Sequence, residues 1–154
     1  YIDLGDDPKL DVGSSDFTLA TWIRKNSATG IRDILAKRNG NPHHGWVFQI
    51  WGTVRLWSEY GSFDTRHPSG LVRNWIHLSV VRNMIDETAE LFINGSFANK
   101  GSYSGEDLSN SNRLSVGRLS DENGHYFDGS IDDIRIYNRV LSATETRAIY
   151  NSEK

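Results

Sequence analysis

The chain has 154 residues, 17 Lys and Arg against 20 Asp and Glu, a formal net charge of −3 and no cysteine. Charges of both signs are interspersed, so no basic stripe is present to track phosphates, and nucleic acid is not an expected partner. The absence of cysteine removes disulfides, thiol nucleophiles and zinc–thiolate sites, and no apolar run reaches the roughly 20 residues of a membrane helix.

Fourteen glycines and many short alternating segments favour an all-β sandwich. In chain order, residues 45–51, 53–59, 75–81 and 89–94 are of strand length, rich in β-branched and aromatic side chains, and separated by Gly, Asn, Asp or Ser. Residues 131–137 form the last predicted strand. At period two, Asp132, Ile134 and Ile136 fall on one face, and Ile131, Asp133, Arg135 and Tyr137 on the other. A carboxylate sharing a face with two isoleucines is costly unless compensated, so Asp132 is expected to have a partner, a bound cation among the candidates. Ser142 can cap a helix and Glu145 can return the bond, which predicts one short helix over 143–150. No repeat, low-complexity tract or internal linker interrupts the pattern, so residues 1–154 read as one domain able to bury a substantial core. The start on a strand-like Tyr1 without an initiator Met reads as a module excised from a larger, multimodular protein.

The closing run Gly129-Ser130-Ile131-Asp132-Asp133-Ile134-Arg135-Ile136-Tyr137-Asn138-Arg139-Val140-Leu141-Ser142 resembles the last strand of the laminin G-like domains among the concanavalin A-like jelly rolls. The resemblance extends along the chain. Tyr1-Ile2-Asp3-Leu4-Gly5 is similar to the family's first strand, Phe17-Thr18-Leu19-Ala20-Thr21-Trp22-Ile23 to the next, and Ile34-Leu35-Ala36-Lys37 to the one after it. Trp75-Ile76-His77-Leu78-Ser79-Val80-Val81 and Leu91-Phe92-Ile93-Asn94-Gly95 match two later strands in family order. The resemblance implies a two-sheet antiparallel jelly-roll β-sandwich with one short C-terminal helix, and a secreted or extracellular location. It also implies a structural calcium: Asp132 matches the position of a carboxylate that binds Ca2+ in related glucanase jelly rolls. Carbonyls could come from near Asp3 and from residues 27–30, the ion being one that takes six to eight oxygens. The alternative is an Asp132 held by backbone amides or an arginine, with no ion.

Aromatic residues carry the ligand question. Trp46, Phe48 and Ile50 alternate with Val47, Gln49 and Trp51, and Val54 and Leu56 alternate with Arg55, Trp57 and Glu59. If the more apolar set of each strand turns inward, then Gln49, Trp51, Arg55, Trp57 and Glu59 share the outward face of two strands joined around Gly52-Thr53. Indole rings stack on the apolar faces of pyranoses, and Arg, Glu and Gln bond their hydroxyls or carboxylates, which makes this patch a candidate sugar platform and hints at an acidic sugar. Arg38, His43, His44, Arg66 and Arg118 lie where loops could border it, together with Lys37, Asn39, Asp64, Asp121 and His125. The plainer readings stand beside these: Trp is commonly a core residue, Arg stacks on Trp for structural reasons alone, and loop histidines are often simply solvated. Trp22, Trp46 and Trp75 read as structural, and His77 as a hydrogen-bonded structural histidine.

Catalysis is not expected. Retaining glycosidases need two carboxyl groups about 5 to 5.5 Å apart, and no strand here carries acids at suitable spacing. Glu59 is alone on its strand, and Asp132 and Asp133 alternate in direction. The expectation is therefore a non-catalytic, monomeric carbohydrate-binding module that binds a polysaccharide or oligosaccharide and targets a covalently linked catalytic module to it. A protein–protein adhesion module is the alternative, and a small hydrolase or lyase a third.

Overall fold

The computed structural model describes residues 1–27, 29–38, 44–66, 72–119 and 124–152, without the side chains of Thr65 and Arg66. Among these described residues, eleven strands, β1(Ile2–Asp3), β2(Phe17–Lys25), β3(Arg32–Arg38), β4(Gly45–Ile50), β5(Thr53–Ser58), β6(Gly61–Arg66), β7(Trp75–Asn83), β8(Thr88–Ile93), β9(Ser96–Ser102), β10(Ser115–Val116) and β11(Gly129–Tyr137), are followed by the helix α1(Ala143–Ser152). They form two sheets, one of order β1-β10-β3-β4-β5-β6 and one of order β11-β2-β7-β8-β9. Every neighbouring pair is antiparallel. The two sheets make the expected jelly-roll sandwich.

Period-two alternation builds the core. Phe17, Leu19 and Ile23 of β2, Trp46, Phe48 and Ile50 of β4, Val54 and Leu56 of β5, and Leu78 and Val80 of β7 are all buried between the sheets. Each such side chain contributes roughly 1.5–3 kcal/mol by leaving water. Two of the long cationic side chains that enter this interior are held by nearby acceptors. Arg82 donates to the carbonyls of Gly13 (2.8 Å), Ser104 (3.2 Å) and Glu106, tying the β1–β2 connection to the β9–β10 connection. Lys37, expected to border a surface groove, is instead wholly buried beside Trp46, its ammonium 2.7 Å from the Asp6 carboxylate and 2.5 Å from the Asn112 carbonyl oxygen.

The C-terminal helix starts on the expected capping box: the Ser142 hydroxyl accepts from the Glu145 N–H (3.3 Å), and the Glu145 carboxylate accepts from the Ser142 N–H (2.8 Å). Hydrogen bonds from Arg139 and Ser142 hold that carboxyl down at about 2. The helix covers the outer face of the five-stranded sheet, where Tyr150 meets Trp22 and His77 at ring-centroid separations of 5.6 and 5.9 Å. Gly95 permits this contact, since a Cβ there would lie 2.9 Å from the Tyr150 ring. Burial lowers the His77 imidazole to about 4, so it is neutral at neutral pH, in a structural position as expected. Trp22 is half-buried in the same cluster and Trp46 is in the core, but Trp75 is 42% exposed with Arg24 stacked 5.5 Å from its ring.

The closing strand departs from simple alternation. Asp132 pairs with Trp22 and Arg135 with Ala20, so one extra residue is inserted between them, and Asp133 takes a left-handed φ of 46°. The bulge shifts parity. Ile131, Ile134 and Ile136 all lean on the core, whereas Asp132 and Asp133 are exposed. Asp132 therefore does not share an apolar face with two isoleucines; its carboxylate is in solvent and accepts the Asp133 N–H at 2.9 Å. The bulge also sets the sign of a substitution pair. Asp133→Gly is expected to leave stability unchanged or raise it by up to about 0.5 kcal/mol, while Asp133→Ile costs about 1–2 kcal/mol. In a regular strand the order would reverse, and urea unfolding of the two variants distinguishes the cases.

Candidate functional site

The register of the six-stranded sheet arranges its outer face in rows. Asp33, Gln49, Arg55 and Asp64 are successive cross-strand partners from β3 to β6, and Ala36, Val47, Trp57 and Ser62 form the adjacent row. Of the outward set expected from the sequence, Gln49, Arg55 and Trp57 are thus on one face, opposite the buried Trp46, Phe48 and Ile50, while Trp51 and Glu59 lie in the turns at the ends of β5.

Part of that face is covered. Leu119 packs on Ala36 and Val47, and His125 lies 3.2 Å from the fully buried Asp33 carboxylate while its carbonyl accepts the Asp33 N–H at 3.0 Å. These segments between β10 and β11 close the β3–β4 half of the face and leave Gln49 only 7% exposed. Gln49 is on the expected side but is not open to a large ligand. The β5–β6 half stays accessible.

On that open half, Trp51 is 53% exposed and its indole is backed by Arg55, whose guanidinium lies 4.8 Å from the ring centroid. Arg55 is fixed in turn by Asp64, donating from Nε to Oδ1 and from Nη2 to Oδ2 (3.0 Å) in a bidentate pair. Trp57 is half-buried: it leans on Ala36, Val47 and Leu119, and Arg38 stacks 4.8 Å from its ring. Glu59 accepts the Gly45 N–H at 3.1 Å and pairs with His44 Nδ1. His44 Nε2 lies 2.9 Å from the Ser109 carbonyl oxygen, so a neutral imidazole can donate to one of these acceptors and an imidazolium to both. The His44 ring also meets Tyr60 edge-on at 89° and 6.5 Å.

Arg118 does not join this group. It stacks 4.2 Å from the ring of Tyr1, beside Tyr126, near β1 and β10 at the opposite edge of the sheet. Four strand spacings separate β1 from β5, about 19 Å. His43, Asn39 and Asp121 lie outside the described residues, as does the side chain of Arg66. The sequence reading missed that β6 is a strand, and hence that Asp64 stands directly opposite Arg55 and Tyr60 in the intervening turn. The signal available was a second hairpin around Glu59-Tyr60-Gly61, with Gly61 at a φ of 149° that favours glycine.

The two residues expected at a metal belong to different sheets. Asp3 is in the six-stranded sheet, and its carboxylate accepts the Gly5 N–H (2.9 Å) and Arg113 Nη1 (2.6 Å), which together hold it below the usual carboxylate range. Asp132 is in the five-stranded sheet. The carbonyl-rich loop after β2 meets the chain at Asp128, whose carbonyl accepts the Asn26 N–H at 2.8 Å, four residues before Asp132. Among the described residues, no three His, Asp or Glu side chains gather in a metal-binding group. What Asp132 does have is an exposed carboxylate on an edge-strand bulge, where Asp133 and Ile134 have no ladder partners.

A family model described as the concanavalin A-like lectin/glucanases superfamily, of laminin G type, matches residues 1–147. The chain belongs to that superfamily. No curated protein matches it. Solved structures share the fold at low identity. The binding domain of Paraclostridial Mosquitocidal Protein 1 superposes at a TM-score of 0.75 with 19% identity over 98% of this chain and 40% of that one. The CBM40 module of the Ruminococcus gnavus IT-sialidase gives 0.74 with 17% identity, over 90% of this chain and 84% of the module. The receptor binding domain of a botulinum neurotoxin C/D mosaic serotype gives 0.72 with 16% identity, over 98% and 39%. The chain therefore spans about 40% of the two toxin domains and most of the sialidase module. Within this superfamily fold, the Arg55–Asp64 pair is the element that fixes the exposed indole. A double-mutant cycle on Arg55→Ala and Asp64→Ala, read by urea unfolding, should give a coupling of about 1 kcal/mol, as for a half-exposed bidentate pair. Zero coupling would show that the carboxylate does not hold the guanidinium.

Proposed function

We propose that this chain is a non-catalytic carbohydrate-binding module that acts outside the cell and holds a covalently linked polysaccharide-active enzyme close to its substrate by raising effective concentration. The observation that carries this reading is Trp51: a large indole more than half exposed, backed on the open half of the sheet by a clamped guanidinium. An exposed aromatic held in place by its neighbours stacks on a pyranose at little ordering cost. The similarity in fold to a sialidase CBM40 module and to toxin receptor-binding domains supports a binding role. A non-catalytic role is supported by the carboxylates of the face, since Asp64 is bound bidentately by Arg55 and Glu59 by Gly45 and His44.

The decisive experiment is a binding screen over neutral and acidic polysaccharides, with Trp51→Ala and Trp57→Ala as controls. Trp51→Ala should weaken binding by about tenfold or more without loss of the fold, and Trp57→Ala by less because half of that ring is covered. Full retention of binding in both folded variants would remove the proposed platform.

Calcium is part of the proposal. Asp132, with carbonyls from the first strand near Asp3 and from the loop after β2, and with water, would hold it, and the ion would brace the edge strand. Chelation should then lower the melting temperature, and Asp132→Ala should abolish that sensitivity. A wild-type melting curve indifferent to chelator would eliminate the ion.

A further inference from the structure

Three aromatic residues mark β5 and the turns at its two ends. Trp51 is in the turn before its first residue, Thr53; Trp57 is near its end; and Tyr60, half exposed, is in the turn to β6. The six residues of β5, at roughly 3.4 Å each, span about 20 Å between the two turns that carry Trp51 and Tyr60. A pyranose unit, crossed from C1 to C4 and including its glycosidic bonds of about 1.5 Å, advances about 5 Å, so the row is about four sugar units long.

At the Tyr60 end the surface turns into a notch of about 290 Å3 between the β5–β6 turn and the end of β9, lined by Tyr60, Ser62, Glu87, Ser102 and Ser104. That is at the low end of the roughly 300–1,000 Å3 of small-ligand pockets, room for one sugar ring. Its chemistry suits one. Tyr60 offers an aromatic surface, three serine hydroxyls each donate and accept, and the Glu87 carboxylate accepts. The Tyr60 ring is steadied edge-on by His44, which Glu59 and the Ser109 carbonyl hold from its two nitrogens. Ser62 joins the notch to the rest of the face, because it lines the notch and is the cross-strand partner of Trp57.

We propose that this notch is a distal glycan subsite, so that the sheet face binds an internal stretch of about four sugar units, from Trp51 to Tyr60, and not a single terminal sugar. The proposal rests on the carbohydrate-binding reading above. It is tested by isothermal titration of wild type, Tyr60→Ala, Ser102→Gln and Trp51→Ala with one- to six-unit fragments of β-1,4-glucan, β-1,3-glucan, β-1,4-mannan and polygalacturonate, and with sialyllactose. Affinity should climb with fragment length to about four units and then level. Tyr60→Ala should weaken four-unit fragments by about tenfold and two-unit fragments by less than about twofold. Ser102→Gln, which fills the notch with Tyr60 intact, should act in the same direction. Affinity already maximal at one or two units, or both notch variants changing all fragments equally or none, would overturn the distal subsite. If Trp51→Ala still abolishes binding in that case, the face remains a glycan site. Failure of wild type to bind any fragment or polysaccharide defeats the carbohydrate-binding reading and the subsite with it.

Discussion

The pairing of β4 with β5 is the constraint on which the rest depends. Phe48 opposite Leu56 and Ile50 opposite Val54 turn inward together, and the short turn at Gly52, with its φ of 65°, locks that register. A slip of β5 by one residue would drive Arg55 and Trp57 into the core and expose Val54 and Leu56, so the register is strongly specified by burial. Outward projection of Arg55 and Trp57 is therefore a consequence of packing, and Trp51 follows from its place at the turn. The face exists because the core does.

What fits the face to the proposed role is a second layer of contacts that the core does not require. Asp64 fixes Arg55, Arg55 backs Trp51, and Arg38 caps Trp57. Each contact removes freedom from a long side chain in the unbound state, which lowers the ordering cost of binding. The loop segments carrying Leu119 and His125 cover the other half of the sheet, so they set the width of the open strip and narrow it to the strands β5 and β6. The guanidinium of Arg55 is already matched by a carboxylate, so the Trp51 end of the strip presents a neutral unit and not a bare cation. Stacking and hydroxyl bonding, which neutral sugars offer, suit it as well as acidic ones do.

Much of this was legible in the sequence. The two-sheet sandwich, the outward set on β4 and β5, the structural roles of Trp22, Trp46 and His77, and the capping box at Ser142 and Glu145 all follow from local period and chemistry. The misses have one physical origin, which is that neighbours distant in sequence decide exposure. Gln49 has the right parity but is covered by a loop seventy residues away, roughly, in chain order. Lys37 lies on the inward side of β3 and finds Asp6 at the sandwich end. Asp132 was misplaced because a bulge inserts a residue and resets the alternation, and nothing in the composition of an Asp-Asp pair announces it, although Asp tolerates the left-handed backbone that Asp133 adopts. Asp64 is expected only on a bordering loop, because β6, with the sequence Gly-Ser-Phe-Asp-Thr-Arg, has a single large apolar residue to mark it as a strand.

The central claim is that a glycan lies against the open strip of the six-stranded sheet. The most direct measurement is the response of the five tryptophan indole N–H resonances of 15N-labelled protein to titration with a bound polysaccharide fragment. The Trp51 and Trp57 signals should move in step with saturation while those of Trp22 and Trp46 stay fixed. Saturable binding with Trp51 and Trp57 stationary would contradict the account.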